Sequence, residues 1–438
     1  MEYGLVLGGG GTMGSYEIGV WKALKELGIN ITAVSGTSIG AINGAIIAQN
    51  NLEWAIDFWT NLKTEDVFSI DKESLEKYNS EWVKLDFRTL LSTFRTLLSD
   101  GGLDISPLKE NMNKYISEDK IRKSPIKLGL VTISLTDLKP IELMIDQIPE
   151  GKLNDYLLAS AALPTFKKHE IDGTVFLDGG FYDNLPVKLL TSCGYENLIT
   201  VSLVGFNIKT KTKAKDLNII NIEPSNSLGG ILDFTPNLMR SNIQLGYLDT
   251  LRKFGRLSGS YYYIDLEKED TYYDKFAENL GNPLKSEVNK KLPLLLGIDS
   301  IESKFDLIPP ILNLLNRTKY KNKSIPLSLL EITANQLNIE RLKVYKPSEL
   351  IREILLAVND LIQDNIQLIR STDNIVNIFK PSKELPTIPL TNNIKFMSYY
   401  MYFISLQTSS VNLMTKLVSL FSPETVLSTI TLLYLTDK

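Results

Sequence analysis

Two short apolar segments near the start of the chain each run straight into a glycine-rich turn and then into a helical pattern. Tyr3–Leu7 precedes the turn Gly8–Gly14, and Ile31–Val34 precedes the turn Gly36–Gly40. Parallel strands need a crossover connection, usually a helix, between one strand and the next. The two consecutive strand, turn and helix units therefore predict an α/β fold with a mainly parallel sheet.

Later segments suggest how the rest of the chain is organised. Residues 52–116 are mainly helical in pattern and rich in aromatic side chains, so we interpret them as a helical insertion. Beyond Gly255 the glycine turns thin out and apolar residues recur at helical spacing. We therefore predict an α/β domain over 1–255, followed by a mostly α-helical C-terminal domain over 256–438 whose role the sequence leaves open.

Composition excludes several classes of protein and site. The formal net charge of -4 provides no basic field that would attract nucleic acid. One cysteine, Cys193, and one histidine, His169, exclude an internal disulfide framework and zinc sites built on several imidazoles. We expect no metal and no cofactor, although scattered carboxylates leave calcium dependence open.

The sequence also lacks the usual signals for export and membrane insertion. The first residues have no basic start followed by an apolar core, and no apolar run of about 18 residues is free of charges. We therefore expect a cytoplasmic protein without a signal peptide or transmembrane helix, which would contact membranes only at their surface. The oligomeric state is left open.

The second glycine turn carries a candidate nucleophile. Gly36–Gly40 matches the pattern G-x-S-x-G, in which a serine occupies a sharp turn between a strand and a helix. Ser38 stands in the central position, after a predicted strand and before a stretch of small residues. The alternative is an ordinary glycine-rich connection whose serine caps the helix.

The first glycine turn admits two chemical interpretations. Gly9, Gly11 and Gly14 imitate the dinucleotide fingerprint, but the acidic residue expected about 20 positions later to bind the ribose is missing. Consecutive glycine N–H groups also suit an oxyanion hole, because a substrate must approach that backbone closely. The missing acid favours the oxyanion hole.

A serine nucleophile needs a general base, and two candidates are available. His169 is the only imidazole, and its neighbours Lys167 and Lys168 indicate a solvent-facing strand residue. Asp178 follows a hairpin signalled by Asp172-Gly173, and Gly179 and Gly180 leave space around it. A two-residue Ser38/Asp178 site is the more economical hypothesis, and its alternative is an ordinary turn aspartate.

Together these segments resemble the patatin-like phospholipases, lipid acyl hydrolases that use a Ser/Asp dyad. The resemblance covers roughly the first 255 residues and implies a three-layer α/β/α core. The matching segments are similar to the family's oxyanion-hole, nucleophile and base blocks and to the segments beside the last: Gly9–Val20, Gly36–Gly40, Asp178–Gly180, Ala159–Pro164 and Asp183–Pro186.

By position, the resemblance implies that Ser38 is the nucleophile and Asp178 the general base. It implies that the oxyanion hole is formed by Gly9, Gly10 and Gly11, and that the supporting glycines of the motifs are Gly14, Gly36, Gly40, Gly179 and Gly180. The family usually has Arg or Lys where this chain has Met13. That departure puts rate and substrate preference in doubt more than the type of reaction.

The expected activity is that of a phospholipase A-type lipid acyl hydrolase acting on phospholipids or other acyl-ester lipids. The alternatives are a weakly active or inactive protein that serves as a binding or scaffold module, favoured by Met13, and a thioesterase or protease using the same dyad. Two segments are candidates for membrane contact. Arg317–Lys323 is more simply interpreted as a solvated loop, and Phe396–Phe403 as core.

Overall fold

The computed structural model describes most of the chain. The described residues are 1–69, 103–164, 166–203, 217–266, 270–281, 292, 295–296, 308–320, 324–370, 392–405, 418 and 420–436. Contacts divide the chain into two compact units, Met1–Phe254 and Gly255–Lys438. Residues 70–102 of the expected helical insertion and 321–323 of the lysine-rich segment lie outside the described residues.

The described part of the first unit contains an eight-stranded sheet. Its strands are β1 (Glu2–Leu7), β2 (Asn30–Thr37), β3 (Lys127–Ser134), β4 (Lys139–Met144), β5 (His169–Ile171), β6 (Thr174–Asp178), β7 (Asn197–Val201) and β8 (Asn218–Ile222). Strands β3, β2, β1, β7 and β8 are parallel neighbours in that order. Strand β4 and the β5–β6 hairpin join β3 in antiparallel fashion. The prediction of a mainly parallel sheet is confirmed.

Helices cover the sheet and connect its parallel strands. They are α1 (Ser15–Glu26), α2 (Ile39–Ala48), α3 (Leu52–Asn61), α4 (Ser106–Tyr115), α5 (Glu118–Arg122), α6 (Leu153–Ser160), α7 (Val187–Ser192) and α8 (Pro236–Lys253). Helix α1 follows β1 and helix α2 follows β2, as the two glycine turns predicted. Nine of the ten residues of α2 are buried, which explains why this helix is built from small and apolar residues.

Alternation along the strands shows that helices pack on both faces. Gly44 of α2 lies against Val34 and Leu128. A side chain at Gly129, the next residue on β3, would instead meet Leu189 of α7. Because successive side chains of a strand point to opposite faces, α2 and α7 lie on opposite sides of the sheet. The core therefore has the three layers that the resemblance implied.

The second unit is mainly helical among its described residues. Its helices are α9 (Thr271–Gly281), α10 (Ile308–Asn316), α11 (Ile325–Gln336), α12 (Pro347–Arg370), α13 (Asn392–Ser405) and α14 (Pro423–Thr436), and two short strands, β9 (Tyr263–Ile264) and β10 (Val344–Tyr345), pair in parallel. Phe396, Tyr399 and Phe403 belong to its hydrophobic core, as expected for that segment. Within the described parts of both units, each helix is too short or too polar to cross a bilayer.

Candidate active site

Ser38 occupies a strained turn between β2 and α2. Its backbone angles are φ 55° and ψ -126°, and its side chain is buried. A β-carbon on Gly36 would lie 2.2 Å from the carbonyl of Gly40, and one on Gly40 would lie 2.6 Å from the carbonyl oxygen of Leu7. The turn therefore requires glycine on both sides of the serine, which is the physical basis of the sequence pattern.

Strand β3 sets the separation between Ser38 and Asp178. Antiparallel pairing with β4 occupies one edge of β3 over residues 129–134, so β2 and β6 share the other edge. Neighbouring residues of β3 pair with Thr37, which precedes the serine, and with Asp178 itself. Two residues 140 positions apart in sequence are thus brought together at adjacent sheet positions.

The Asp178 carboxyl is buried beside the serine. Its Oδ1 accepts the N–H of Gly180 at 2.7 Å, whereas Oδ2 is buried without a hydrogen bond of standard geometry. Burial raises the pKa of Asp178 to about 6, an effect larger than the opposing contributions of the Ser38 hydroxyl and the Gly180 N–H. A carboxyl with a pKa near neutrality can accept a proton more readily than an ordinary aspartate.

The end of helix α6 holds the backbone of both residues. The N–H of Ser38 donates to Ser160 Oγ at 2.9 Å, and that hydroxyl donates to the carbonyl of Val131 at 2.6 Å. Two residues later, the carbonyl of Ala162 accepts the N–H of Asp178 at 2.9 Å. The sequence indicated this segment only as a family resemblance, and the geometry gives Ser160 a definite positioning contact.

The first glycine turn, Gly8–Gly14, is called the glycine loop below. It lies against the turn at Ser38, and one of its three expected oxyanion donors is bonded to another part of the protein. The N–H of Gly9 donates to the carbonyl of Asn184 at 3.2 Å, and Asn184 Nδ2 donates back to the carbonyl of Gly9. The N–H of Gly9 is therefore engaged within the protein, and its role as an oxyanion donor stays a prediction. The N–H groups of Gly10 and Gly11 have no protein acceptor among the described residues. Gly11 has φ 57°, and a β-carbon there would overlap the carbonyl of Ile231 at 1.9 Å.

Much of the first unit is similar to a known family. A family model described as patatin-like phospholipase matches residues 5–191, a range that contains the glycine loop, Ser38 and Asp178. Residues 5–191 belong to the patatin-like phospholipase family.

Three relatives are similar to this patatin-like domain. An uncharacterized NTE family protein of Mycobacterium tuberculosis is 29% identical over 204 residues, which cover 46% of this chain and 49% of that protein. Patatin-like phospholipase domain-containing protein 7 of Rattus norvegicus is 27% identical over 45% of this chain and 13% of its own length. Lysophospholipase nte1 of Aspergillus terreus is 28% identical over 47% of this chain and 12% of its own length. The match thus spans about half or less of each relative.

Among the similar solved structures is VipD from Legionella pneumophila. The two proteins are 15% identical, and the superposition covers 97% of this chain and 91% of VipD with a TM-score of 0.35. A score this low supports no inference about the present chain.

The single histidine of the patatin-like domain lies on an edge strand of the sheet. His169 lies on β5, half-buried, and its Nε2 is hydrogen-bonded to the carbonyl of Asp155 at 2.8 Å. Burial lowers the pKa of His169 more than the Asp155 contacts raise it. The ring therefore links the hairpin to α6, and the expected solvent-facing position is only partly correct.

Met13 also has a structural place in the domain. Its side chain is buried, and its N–H donates to the carbonyl of Gly10 at 3.2 Å. This position therefore carries a buried apolar side chain and a backbone hydrogen bond within the loop. The described residues of the patatin-like domain also include no cluster of three or more potential metal ligands of the histidine, cysteine and carboxylate types.

An apolar cavity opens beside Ser38. One side is formed by Ile39, Ile42 and Ile46, which lie on one face of α2. An aromatic wall faces them, in which the ring of Trp54 lies 5.2 Å from Phe58 and 5.3 Å from Tyr115 between centroids. The cavity has a volume of about 80 Å³, and its described lining includes no charged side chain. Such a lining suits a hydrocarbon chain.

Proposed function

We propose that the patatin-like domain is a lipid acyl hydrolase of the phospholipase A type, with Ser38 as nucleophile and Asp178 as general base. The observation that carries the proposal is a buried serine that lines an apolar cavity and has a buried carboxyl beside it. The family of residues 5–191 supports the same chemistry. A relative named as a lysophospholipase supports phospholipids as the substrate class.

In the proposed reaction, Ser38 Oγ attacks the carbonyl carbon of the ester while Asp178 accepts the hydroxyl proton. The tetrahedral oxyanion is stabilised by the N–H groups of Gly10 and Gly11, together with that of Ile39 in the first turn of α2. Asp178 then returns the proton to the departing alcohol, leaving an acyl-enzyme. Water gives a proton to Asp178 and attacks the acyl group, releasing the fatty acid and regenerating Ser38.

The cavity favours a lipid over the alternative substrates of the same dyad. An acyl chain can follow the apolar face of α2 from Ile39 to Ile46, a length of about 10.5 Å at a rise of about 1.5 Å per residue. A peptide substrate would need polar partners for its backbone groups, and the described lining offers few of them. A phospholipid substrate also requires contact with a membrane surface, which we propose for this chain.

The test is release of fatty acid from phosphatidylcholine vesicles and hydrolysis of a short-chain chromogenic ester by the full chain. Turnover and labelling by a fluorophosphonate should both disappear in Ser38→Ala, and turnover should disappear in Asp178→Asn. His169→Ala is the matched control and should retain turnover. Full activity of Asp178→Asn would exclude the dyad, and loss of activity in His169→Ala would favour a triad instead.

A further inference from the structure

A second carboxyl, which the proposed reaction does not use, lies behind the glycine loop. Glu17 on α1 is fully buried, and no described cation forms an ion pair with it. Its Oε2 accepts Asn43 Nδ2 at 2.8 Å, while Oε1 is buried without a hydrogen bond of standard geometry. Buried carboxyl groups without a paired charge are rare because ionisation away from water is costly.

The orientation of the Asn43 side-chain amide is fixed by the indole N–H of Trp59, which can donate a hydrogen bond but cannot accept one. Trp59 Nε1 donates to Asn43 Oδ1 at 3.0 Å, and an indole nitrogen is only a donor. The Asn43 amide nitrogen must therefore face the other way, where it donates to the carbonyl of Gly14 at 2.9 Å and to Glu17. Both amide protons and the oxygen of this fully buried side chain are thereby used.

These contacts reach both ends of the loop that contains Gly10 and Gly11. Gly14 ends the loop, and the Glu17 carboxyl lies beside the N–H of Gly8, where the loop begins. Asn43 stands on α2, the helix that starts after the nucleophile, and Trp59 lines the apolar cavity. The loop, the nucleophile helix and the cavity wall are thus joined by one buried chain of hydrogen bonds.

The environment of Glu17 favours its uncharged form. Burial raises the pKa of Glu17 well above its ordinary value, and this effect exceeds the opposing contributions of the Asn43 side chain and the Gly8 backbone. A neutral carboxylic acid can accept from Asn43 without leaving an unpaired charge inside the domain. Glutamine has the same shape and no charge, so it should replace this acid closely.

Building on the proposed function, we propose that Glu17, Asn43 and Trp59 are positioning residues that hold the glycine loop in its oxyanion-binding conformation. None of the three needs to touch the substrate's reacting atoms. Removing the Trp59 donor would leave Asn43 Oδ1 buried and unpaired and free the amide to turn. The hydrogen bonds that Asn43 donates to the Gly14 carbonyl and to Glu17 would then weaken.

Hydrogen exchange of the full chain tests the proposal without requiring catalysis. The N–H groups of Gly8, Gly9, Thr12 and Met13 are hydrogen-bonded, so a peptide covering 8–14 should be protected. We expect Trp59→Phe and Glu17→Ala to accelerate its exchange about tenfold, the effect of losing roughly one hydrogen bond. Glu17→Gln should restore protection. Trp54→Phe is the matched control, because it alters the same cavity wall without touching Asn43.

Kinetics normalised by fluorophosphonate titration supply the second measurement. In Trp59→Phe, kcat per labelled site should fall about tenfold with KM unchanged, because the change weakens oxyanion stabilisation. A purely structural role would lower the labelled fraction and leave kcat per labelled site intact, which would overturn the proposal. Wild-type exchange rates in both Trp59→Phe and Glu17→Ala would also overturn it. Absence of turnover dependent on Ser38 in the wild type would refute the proposed function, whereas the exchange result would still decide this inference.

Discussion

Replacing Asp178 by asparagine should abolish turnover and stabilise the fold at neutral pH. The carboxyl is 1% exposed, and its Oδ2 is buried without a standard hydrogen bond. Asparagine can keep the bond from the Gly180 N–H through Oδ1 and place an amide donor toward Ser38 Oγ. The substitution thus removes a buried charge that, on the proposed mechanism, serves catalysis.

The size and pH dependence of this gain follow from the raised pKa. A change from the ordinary 3.8 to about 6 corresponds to about 3 kcal/mol, at about 1.36 kcal/mol for each tenfold change in ionisation. Between these two pH values the folded protein holds a proton that the unfolded chain has lost, so stability falls as pH rises through this window. The cost of Asp178 is therefore complete above about pH 6 and absent well below 3.8.

Denaturant unfolding at pH 7 and pH 4 measures the effect. Asp178→Asn should gain up to about 3 kcal/mol in free energy of unfolding at pH 7, and less than about 1 kcal/mol at pH 4. The exposed residue Asp57 provides a control, since Asp57→Asn should change the free energy of unfolding by less than about 0.5 kcal/mol at either pH. An equal gain for Asp178→Asn at both pH values, or no gain at pH 7, would refute the reasoning from burial.

Three further predictions concern the same site. In initial-rate measurements from pH 4.5 to 8, kcat/KM should rise through about pH 6 and then level off as Asp178 ionises, and a midpoint near 3.8 would contradict the effect of burial. Ser160→Ala removes the acceptor for the buried Ser38 N–H, so kcat should fall on the order of tenfold to a hundredfold with little change in KM; equal kcat values would show that the contact is dispensable. Trp54→Ala removes part of the cavity wall and so enlarges the cavity, which should raise the ratio of kcat/KM for longer over shorter acyl esters by about tenfold. An unchanged ratio would place the acyl chain elsewhere.

The parts of the fold that the sequence predicts are those governed by local geometry. Both glycine turns appear where expected, because steric exclusion at Gly36, Gly40 and Gly11 leaves a direct mark on residue type. The hairpin before Asp178 is equally local, since Asp172 and Gly173 both have positive φ in its turn. Such features can be recognised without knowing what packs against them.

Other features depend on partners distant in sequence and could not be predicted in the same way. Gly9 looks identical to its neighbours in a run of glycines, and only the carbonyl of Asn184 distinguishes its N–H from those of Gly10 and Gly11. Ser160 is one serine among many until its hydroxyl is seen between Ser38 and Val131. For Glu17 the one sequence signal was a glutamate among apolar residues of a predicted helix. A carboxyl in such a position is rarely buried without a partner, and α1 does bury it.

Several unfavourable features of the first unit lie around Ser38. The serine has a strained backbone, Asp178 Oδ2 and Glu17 Oε1 are buried without standard hydrogen bonds, and Asn184 Oδ1 beside Gly9 shares that condition. Substitutions that relieve the backbone strain at Ser38 or the buried carboxyl of Asp178 would disable the proposed site, which is the expected trade between stability and activity. Strands β1, β2 and β3 have buried apolar side chains on both faces of the sheet and can hold this arrangement rigid. Ser38 therefore follows directly from β2, inside this buried group of strands. A rigid scaffold of this kind can hold both the strained turn at Ser38 and the buried carboxyl of Asp178 in place.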